Sequence, residues 1–499
     1  MVKADVVIIG SGISGLTAAA LLAKHGKEVV LVEKNRNPGG SIRQFTRKNH
    51  AFDIGFHYTG CLGEGEILNL LWQHCGVLDK VNIIPASQGG YDHFEDPATG
   101  KVIRGYFSYE HLEEELIANF PHEKNGIKTY LKTIRTNCQD VPFYKTDLPL
   151  LPFLRGYKDQ VNSLSSFLDK TIEDRLLRSV LEAPGFLYGV PTRKASVEVH
   201  SLVAHGYYSG AYKVAGGGQS VVNSFVDAIR ATGTSLSVNA EVTSIQVKNG
   251  AVTGVTLYSG EEITCSQIIY TGHPGQSLAL LPPSVFRPAY KSRVRNLQNS
   301  LSMFAVFAES EKFVDCTTGA LNYYIFPKTG EILPPQSMLA PNQRIMLMTS
   351  GAPASSKELH GHGNDVTLLS TGYWKDVEPF LKNDSPRRSP EYTAWKADIT
   401  DKMVTKAEER WGAISGTLTP LATATPLTFR DKLSAPSGCT YGAMHCLGQY
   451  TPDVRTRLSG FYLSGQSTLM TGVVGASVAG LVSAGEILGL EDLWRSIRL

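Results

Sequence analysis

Hydrophobic and polar residues in the first 33 positions follow the order strand, turn, helix, strand. Residues 6–9 form a short β-branched run, which is typical of a central parallel strand buried on both faces. Residues 14–24 are rich in alanine and leucine and predict a helix, which Gly26 ends in a left-handed conformation. Residues 28–32 predict the next strand, so the chain opens with a β-α-β unit.

The hydrophobic pattern predicts three further blocks of regular structure. A helix at 221–231 precedes one block of strands, and a second block combines strands with an amphipathic helix at 392–411. Near the C-terminus, a short strand precedes a buried helix at 471–488. The predicted strands occupy residues 235–239, 241–248, 252–257, 262–270, 301–308, 345–350, 366–373 and 461–466, with a further strand pair near 81–107.

Composition narrows the class of protein. With 499 residues, 42% of them hydrophobic, and 48 glycines, the chain has the size and core content of a two- or three-domain α/β protein. A net charge of only +2 without a basic run argues against a nucleic-acid partner. Seven cysteines without a Cys-X-X-Cys pair predict reduced thiols and an intracellular protein, either cytoplasmic or peripherally associated with a membrane. The histidines lack metal-ligand spacing, so we predict no metal site.

Three glycines in the first turn carry a dinucleotide-binding pattern. Gly10 makes the tight turn, Gly12 lets the backbone approach a pyrophosphate, and Gly15 allows the helix to pack closely on the strand. The helix N-terminus places a partial positive charge beside the phosphates. The predicted binding loop consists of Gly10, Ser11, Gly12, Ile13, Ser14 and Gly15.

Glu33 ends the second predicted strand, roughly 20 residues beyond the glycines. A carboxylate at this point accepts hydrogen bonds from both ribose hydroxyls and repels a 2′-phosphate. With its neighbour Lys34, Glu33 completes the nucleotide end of the predicted site.

The residues that follow Glu33 favour FAD over NAD. Gly40 and Ser41 close a Pro-Gly-Gly-Ser motif, and Gly55 closes a Phe-Asp-Ile-Gly stretch. A glycine pair lets the backbone approach a second part of a long cofactor. These motifs resemble the start of the FAD-dependent amine oxidase and phytoene desaturase superfamily. Many desaturases have arginine where this chain has Ser41, and the nearest arginine here is Arg43.

The resemblance continues in the middle and at the C-terminus of the chain and implies further cofactor contacts. In the superfamily, the turn after the last strand lies against the ribityl chain and the pyrophosphate, and the next helix aims its N-terminus at the flavin pyrimidine edge. That N-terminus offers about half a positive charge to reduced flavin. A backbone contact with adenine and a small-residue turn complete the set. The residues implied in these roles are Val242, Gly272, Gly465, Gln466, Gly472, Val473 and Val474.

The stretch Gly55-Phe56-His57-Tyr58-Thr59-Gly60 resembles the G-x-H-Y-x-G motif of the retinol saturase-like branch. The resemblance implies that Gly55, Phe56 and His57 run near the isoalloxazine. It also implies an α/β fold with a discontinuous Rossmann-type FAD-binding domain, similar to that of glutathione reductase, and a mixed sheet-plus-helix substrate domain. The expected domains are 1–75, 193–275 and 451–499 for FAD, and 76–192 and 276–450 for the substrate.

The resemblance implies an FAD-dependent oxidoreductase that saturates or desaturates carbon–carbon double bonds of an apolar polyene, such as a retinoid or carotenoid. A redox-neutral carotenoid isomerase and an FAD amine oxidase are alternatives, and a non-catalytic FAD-binding protein is a fourth. One dinucleotide fingerprint is present, so reducing equivalents would come from a partner protein, a quinone or weak direct contact.

His57 and Tyr58 are the candidates for proton transfer, because hydride chemistry at carbon needs a proton to move separately. The alternative is a structural role, with the histidine hydrogen-bonded inside a strand and the tyrosine packed beside it. Four other residues carry less weight as candidates, namely His205, Tyr207, Tyr208 and His445.

Residues 141–157 mix prolines and aromatic residues with lysine and arginine. One interpretation is peripheral membrane contact by a region near 141–190, with apolar side chains in the lipid and basic residues at the phosphates. The other interpretation is a proline-rich loop that covers the core.

Overall fold

The computed structural model describes residues 2–87, 89–105, 108–156, 161–312, 321–328, 331–351, 365–381 and 388–498. These residues form twenty strands and sixteen α-helices. The strands are β1 Val2–Lys3, β2 Val6–Ile9, β3 Val29–Val32, β4 Gln44–Arg47, β5 His50–Asp53, β6 Ile83–Pro85, β7 Asp92–Glu95, β8 Val102–Gly105, β9 Tyr212–Val214, β10 Ser235–Ser237, β11 Val242–Lys248, β12 Ala251–Leu257, β13 Glu262–Thr264, β14 Gln267–Tyr270, β15 Ser302–Ser310, β16 Asn322–Ile325, β17 Met346–Ser350, β18 Asp365–Gly372, β19 Leu418–Ala424 and β20 Phe461–Leu463. The helices are α1 Ile13–Lys24, α2 Ile67–His74, α3 Tyr109–Asn119, α4 Lys124–Cys138, α5 Leu150–Gly156, α6 Leu164–Thr171, α7 Arg175–Glu182, α8 Val197–Ser209, α9 Gly217–Ala231, α10 Pro274–Leu280, α11 Pro288–Arg295, α12 Trp374–Val377, α13 Pro390–Arg410, α14 Pro426–Leu433, α15 Gly472–Leu488 and α16 Leu490–Ile497.

A five-stranded parallel sheet, in the order β10-β3-β2-β14-β20, is built from distant parts of the chain. Both faces of β2 are buried. Val6 and Ile8 pack in the cluster that contains α1, α9 and α15, whereas Val7 packs against the antiparallel sheet β1-β13-β12-β11. A strand between two apolar layers needs side chains that are apolar on both faces, which explains the continuous run at its position. The α/β class with a Rossmann-type domain is confirmed.

The second large sheet has seven strands, in the order β19-β15-β18-β17-β16-β7-β8. Its two faces have different partners. Phe304, Val306 and Leu368 face a cluster that includes residues of α13. Met303 and Leu347 face the opposite way, into a cluster shared with α3, α4 and α8.

The structure corrects the prediction of one strand over 262–270. That run is two strands: β13 pairs with β12 in the antiparallel sheet, and β14 joins the parallel sheet beside β2. Local sequence cannot reveal this break, because strand pairing with distant partners decides where each strand belongs. Helix α8 lies in the segment expected to belong to the FAD-binding domain but contacts α4 and α6. The domain division stays a prediction.

The described part of segment 141–157 packs inward. Val141, Phe143 and Leu150 are buried, and Trp494 Nε1 donates a hydrogen bond of 2.7 Å to the Leu148 carbonyl. These residues cover part of the core, but Leu150–Gly156 form helix α5 where the second interpretation expected a loop. Membrane contact stays a prediction, and residue 157 lies outside the described residues. Among the helices of the described ranges, none combines the length and the apolar character needed to cross a membrane.

Candidate cofactor and active site

A cavity of about 670 Å³ opens at the carboxyl ends of the parallel strands. The residues that end β2, β3 and β14, namely Ile9, Val32 and Tyr270, all line it. In open parallel sheets, ligands bind outside this edge because the loops and helix N-termini meet there. The seven-stranded sheet closes the cavity from the other side with Met303 and Leu347.

The structure brings most of the predicted cofactor residues to this one cavity. The residues that line it are Gly10, Gly12, Ile13, Ser14, Glu33, Lys34, Gly40, Ser41, Gly55, Phe56, His57, Val242, Gly272, Gly465, Gln466, Gly472, Val473 and Val474. Ser11 and Gly15 do not line the cavity and instead support residues that do. Their individual contacts with a cofactor stay predictions.

The glycines of the first loop have two different environments. A Cβ atom on Gly15 would lie 2.1 Å from the Gly10 carbonyl oxygen, so close packing of helix on loop requires glycine there. A Cβ on Gly12 would meet no atom within 4 Å and would project into open space. The second glycine loop approaches closely, because a Cβ on Gly40 would lie 3.2 Å from Gly12 Cα. The two loops form a cradle that suits a pyrophosphate.

Two helix N-termini border the cavity without a side-chain cap. Gly12 precedes α1 and Thr471 precedes α15, and neither provides a capping hydrogen bond. Uncapped N-termini leave backbone N–H groups and partial positive charge for an anionic ligand. Ser14 and Ser464, whose hydroxyl oxygens lie 2.6 Å apart, tie the start of α1 to the turn after β20. The residues present therefore fit FAD.

Glu33 is held in place from both sides. Its Oε2 accepts hydrogen bonds from the Ser11 backbone N–H at 3.0 Å and the Ser11 hydroxyl at 2.7 Å. Its Oε1 accepts two more from Asn35, each at 2.8 Å. A carboxylate has about four lone-pair positions. Ribose hydroxyls at Glu33 would share or replace one of these four bonds.

His57 and Tyr58 both line the cavity, and their position near the isoalloxazine stays a prediction. Burial, reinforced by the positive charge of Lys213, lowers the pKa of His57 to about 4. The imidazole is therefore neutral at pH 7. Burial raises the pKa of Tyr58 well above its ordinary value, so its phenol stays protonated. The Tyr58 hydroxyl lies 3.2 Å from that of Tyr324.

Of the four candidates proposed with less weight, His205, Tyr207 and Tyr208 lie on helix α8, and His445 lies before β20. Tyr207 lines the cavity. His205 Nδ1 lies 2.6 Å from the Tyr109 hydroxyl, and His445 Nε2 lies 2.7 Å from the Gln466 carbonyl oxygen, both in structural contacts. Within the described residues, no group of three or more His, Cys, Asp or Glu side chains could hold a metal ion.

Sequence patterns missed the apolar wall of the cavity. The wall comes from five separate segments, each of which resembles ordinary core in sequence. Its members are Phe186, Leu187, Leu202, Val203, Met303, Leu347 and Leu369. The alternation of inward and outward residues along β15, β17 and β18 was the available signal, but it does not tell which face meets a ligand.

No role was assigned from the sequence to two buried ionisable residues near the site, Asp53 and Lys213. Asp53 accepts a hydrogen bond of 2.8 Å from the Gly218 backbone N–H at the start of α9, and burial raises its pKa to about 7. Lys213 is 1% exposed and donates to the Ser350 carbonyl at 2.5 Å and to its hydroxyl at 3.2 Å. Each residue ties one of the segments around the cavity to another.

The cavity, its glycine cradle and the sheet that closes it define an FAD-dependent oxidoreductase. The chain belongs to the family of flavin containing amine oxidoreductases, whose sequence profile matches residues 13–398. The predicted superfamily and FAD as its cofactor are confirmed.

Curated relatives cover nearly the whole chain at low identity. All-trans-retinol 13,14-reductase of Macaca fascicularis is 26% identical over 97% of this chain and 86% of the relative. Prolycopene isomerase 1 of an Oncidium hybrid cultivar is 24% identical over 98% of this chain and 84% of the relative. Both similarities extend beyond the nucleotide-binding motifs to the segments that form the apolar wall.

Solved structures share the fold. Putrescine oxidase bound to putrescine aligns with a TM-score of 0.66 and 18% identity over 98% of this chain and 99% of that one. An oxidoreductase from Methanosarcina mazei aligns with a TM-score of 0.64 and 16% identity over 96% and 99% of the two chains. At these identities the likeness concerns the fold alone.

Proposed function

We propose that this protein adds or removes two hydrogens at carbon–carbon double bonds of a long apolar polyene of the retinoid or carotenoid class. One observation carries the proposal: a single cavity joins the glycine cradle at Gly12 to Tyr58 and to an apolar wall that includes Leu347. Relatives named for retinol reduction and prolycopene isomerisation support the class of substrate.

The charge of the cavity disfavours an amine substrate. An alkylammonium ion loses hydration when it is buried, and a nearby carboxylate compensates most directly for that loss. Among the described residues that line the cavity, the carboxylates are Glu33 and Glu241. Both lie at the nucleotide end, where the Ala240 backbone N–H donates to the Glu33 carbonyl at 2.8 Å. An uncharged polyene matches the apolar end better.

FAD, when bound, supplies or accepts the hydride in this chemistry. The side chains of the wall position the polyene and exclude water. Tyr58 carries the proton to or from the substrate carbon, since its phenol is protonated and faces the cavity. His57, neutral at pH 7, hydrogen-bonds to the cofactor or the substrate without adding charge. An external electron donor or acceptor belongs to the proposal.

A redox-neutral isomerisation is the second candidate, and the similarity to prolycopene isomerase favours it. The same cavity serves both reactions. They differ in the mass of the product, which changes by two hydrogens in the redox reaction and stays constant in isomerisation.

The test uses purified holoenzyme under anaerobic conditions. The dithionite-reduced and oxidised forms are incubated with retinoids and carotenoids, and products are resolved by chromatography and mass spectrometry. Reoxidation of the flavin together with a product two hydrogens heavier supports saturation. Release of peroxide on addition of amines in air-saturated buffer, with every polyene unchanged in the anaerobic incubations, would replace this proposal with an amine oxidase.

A further inference from the structure

A second, much smaller cavity lies behind the wall of the first. Its volume is about 30 Å³, and Leu187 and Tyr207 line both cavities. A single water molecule occupies about 30 Å³ in the liquid and needs polar partners to stay in a protein interior. Asp92 and Tyr324 also line this small cavity and provide such partners.

The position of Asp92 is fixed by strand pairing. Asp92 on β7 is the parallel partner of Asn322 on β16, and the Asn322 Nδ2 donates a hydrogen bond of 2.6 Å to Asp92 Oδ1. The buried Oδ1 of Asn322 accepts no hydrogen bond from the described residues. A proton on the neighbouring Asp92 carboxyl would provide that oxygen with a donor.

Hydroxyl groups connect the small cavity to the large one. Tyr324 lines the small cavity, and its hydroxyl lies 3.2 Å from the hydroxyl of Tyr58. Tyr58 lines the large cavity, where the substrate would lie. Four groups therefore follow one another: Asp92, a water molecule in the small cavity, Tyr324 and finally Tyr58. Each of them can donate and accept a proton.

The surroundings keep Asp92 close to its titration point at neutral pH. Burial raises the pKa of Asp92 to about 7. The other polar side chains of the small cavity are tyrosines, contributed by the residue before β7, by α8 and by β16, and none of its described lining residues is Lys, Arg or His. Burial, followed by the negative charge of Asp92, raises the pKa of Tyr58 and Tyr324. Those phenols remain protonated.

We propose that Asp92 is a proton reservoir for the active site, and that the water-sized cavity, Tyr324 and Tyr58 relay its proton to the substrate. This inference rests on the proposed function. In reduction, one carbon receives the hydride and the π-electron pair forms the second C–H bond with the proton. That proton leaves the Tyr58 hydroxyl, which is reprotonated through Tyr324 from Asp92, leaving a carboxylate. Desaturation uses the same path in reverse.

The first test measures single turnover of dithionite-reduced holoenzyme with a polyene that the wild type converts. Asp92→Asn and Tyr324→Phe should slow turnover by about 10- to 100-fold with unchanged FAD content, because general acid catalysis contributes at least this much. The rate of polyene reduction by the wild type should fall as pH rises through about 7. The rate of Asp92→Asn should not change with pH in this range. Tyr323→Phe, on the same strand but facing the other way, is the matched control and should behave as wild type.

The second test needs no substrate. Infrared spectra of oxidised holoenzyme near pH 6 should contain the C=O stretch of a protonated carboxylic acid that Asp92→Asn lacks and that shifts in D₂O. Wild-type turnover rates in both Asp92→Asn and Tyr324→Phe would overturn the relay, and so would identical infrared spectra of wild type and Asp92→Asn. If the wild type converts no polyene, the proposed function fails, while the infrared band still decides whether Asp92 stores a proton.

Discussion

At the scale of single residues, the glycines of the first loop have different structural roles. Gly15 faces protein and is required by packing, since its missing Cβ makes room for the Gly10 carbonyl. Gly12 faces the cavity and has no protein atom within 4 Å of an added Cβ. The same residue type therefore supports the fold at one position and leaves room for a ligand at the other.

This difference predicts opposite phenotypes for two alanine variants. Gly15→Ala should lower the free energy of unfolding of the apoprotein by about 1–3 kcal/mol, because a backbone oxygen cannot move away cheaply. Gly12→Ala should leave apoprotein stability near wild type and reduce FAD retention. Urea unfolding of the apoprotein and the flavin-to-protein absorbance ratio measure the two effects. Equal loss of stability in both variants would contradict the assignment of Gly12 to the cavity.

Asp53 predicts a pH dependence of stability. Its pKa is about 7 in the folded protein and 3.8 in the reference state, so the folded state binds more protons between these values. Stability contributed by this group therefore falls as pH rises from about 4 to 7, by up to about 1.4 kcal/mol per pH unit. Asp53→Asn should remove this slope. Urea unfolding of both apoproteins from pH 4 to 8 measures the difference, and a constant difference would show that Asp53 titrates normally.

At the scale of elements, the C-terminal helix α16 holds the segment that contains α5. Trp494 is fully buried and donates to the Leu148 carbonyl, and Glu491 Oε1 accepts a hydrogen bond of 2.6 Å from the Leu151 backbone N–H. The mixed apolar and basic sequence of this segment is explained by burial against α16 for the apolar side chains and by exposure for Lys145 and Arg155.

Loss of this contact should release the segment. Trp494→Ala should cost about 3–5 kcal/mol in unfolding free energy because it leaves a large cavity. It should also expose residues 141–156 to protease cleavage. Trp494→Phe keeps most of the packing and should cost about 1–3 kcal/mol for the unpaired carbonyl. Unchanged protease resistance of residues 141–156 in Trp494→Ala would show that other contacts hold the segment.

At the scale of the whole molecule, the cavity has one end built by the parallel sheet and the other by the seven-stranded sheet. Leu347 belongs to the second end, because it is the strand partner of Tyr324, whose hydroxyl reaches Tyr58. Substitutions at the two ends should therefore separate cofactor binding from substrate conversion.

Leu347→Trp should fill the substrate end and slow polyene turnover at least about tenfold, which corresponds to about 1.4 kcal/mol of activation free energy. FAD content should stay at the wild-type level. Leu347→Met conserves volume and is the matched control. Flavin absorbance and single-turnover product analysis check the two effects, and joint loss of FAD and turnover would place Leu347 at the cofactor end.

Much of the fold and of the cofactor end was predictable from the sequence. Val6 to Val32 form one local β-α-β unit, in which neighbours in sequence are neighbours in space. The break between β13 and β14 was not predictable, because strand pairing in different sheets decides it. Asp92 also gave no signal, since its partner Asn322 is 230 residues away.

By itself, the sequence determined the class of fold through its hydrophobic runs and the cofactor through motifs that resemble the superfamily, and it predicted the loop for the phosphates from short-range glycine spacing. The tertiary structure alone decided which apolar residues form a cavity rather than core, and which buried carboxyl lies behind Tyr58. The physical reason is that a cavity is a property of long-range packing: Leu187, Leu347 and Leu369 become its wall only when distant strands and helices enclose the same volume.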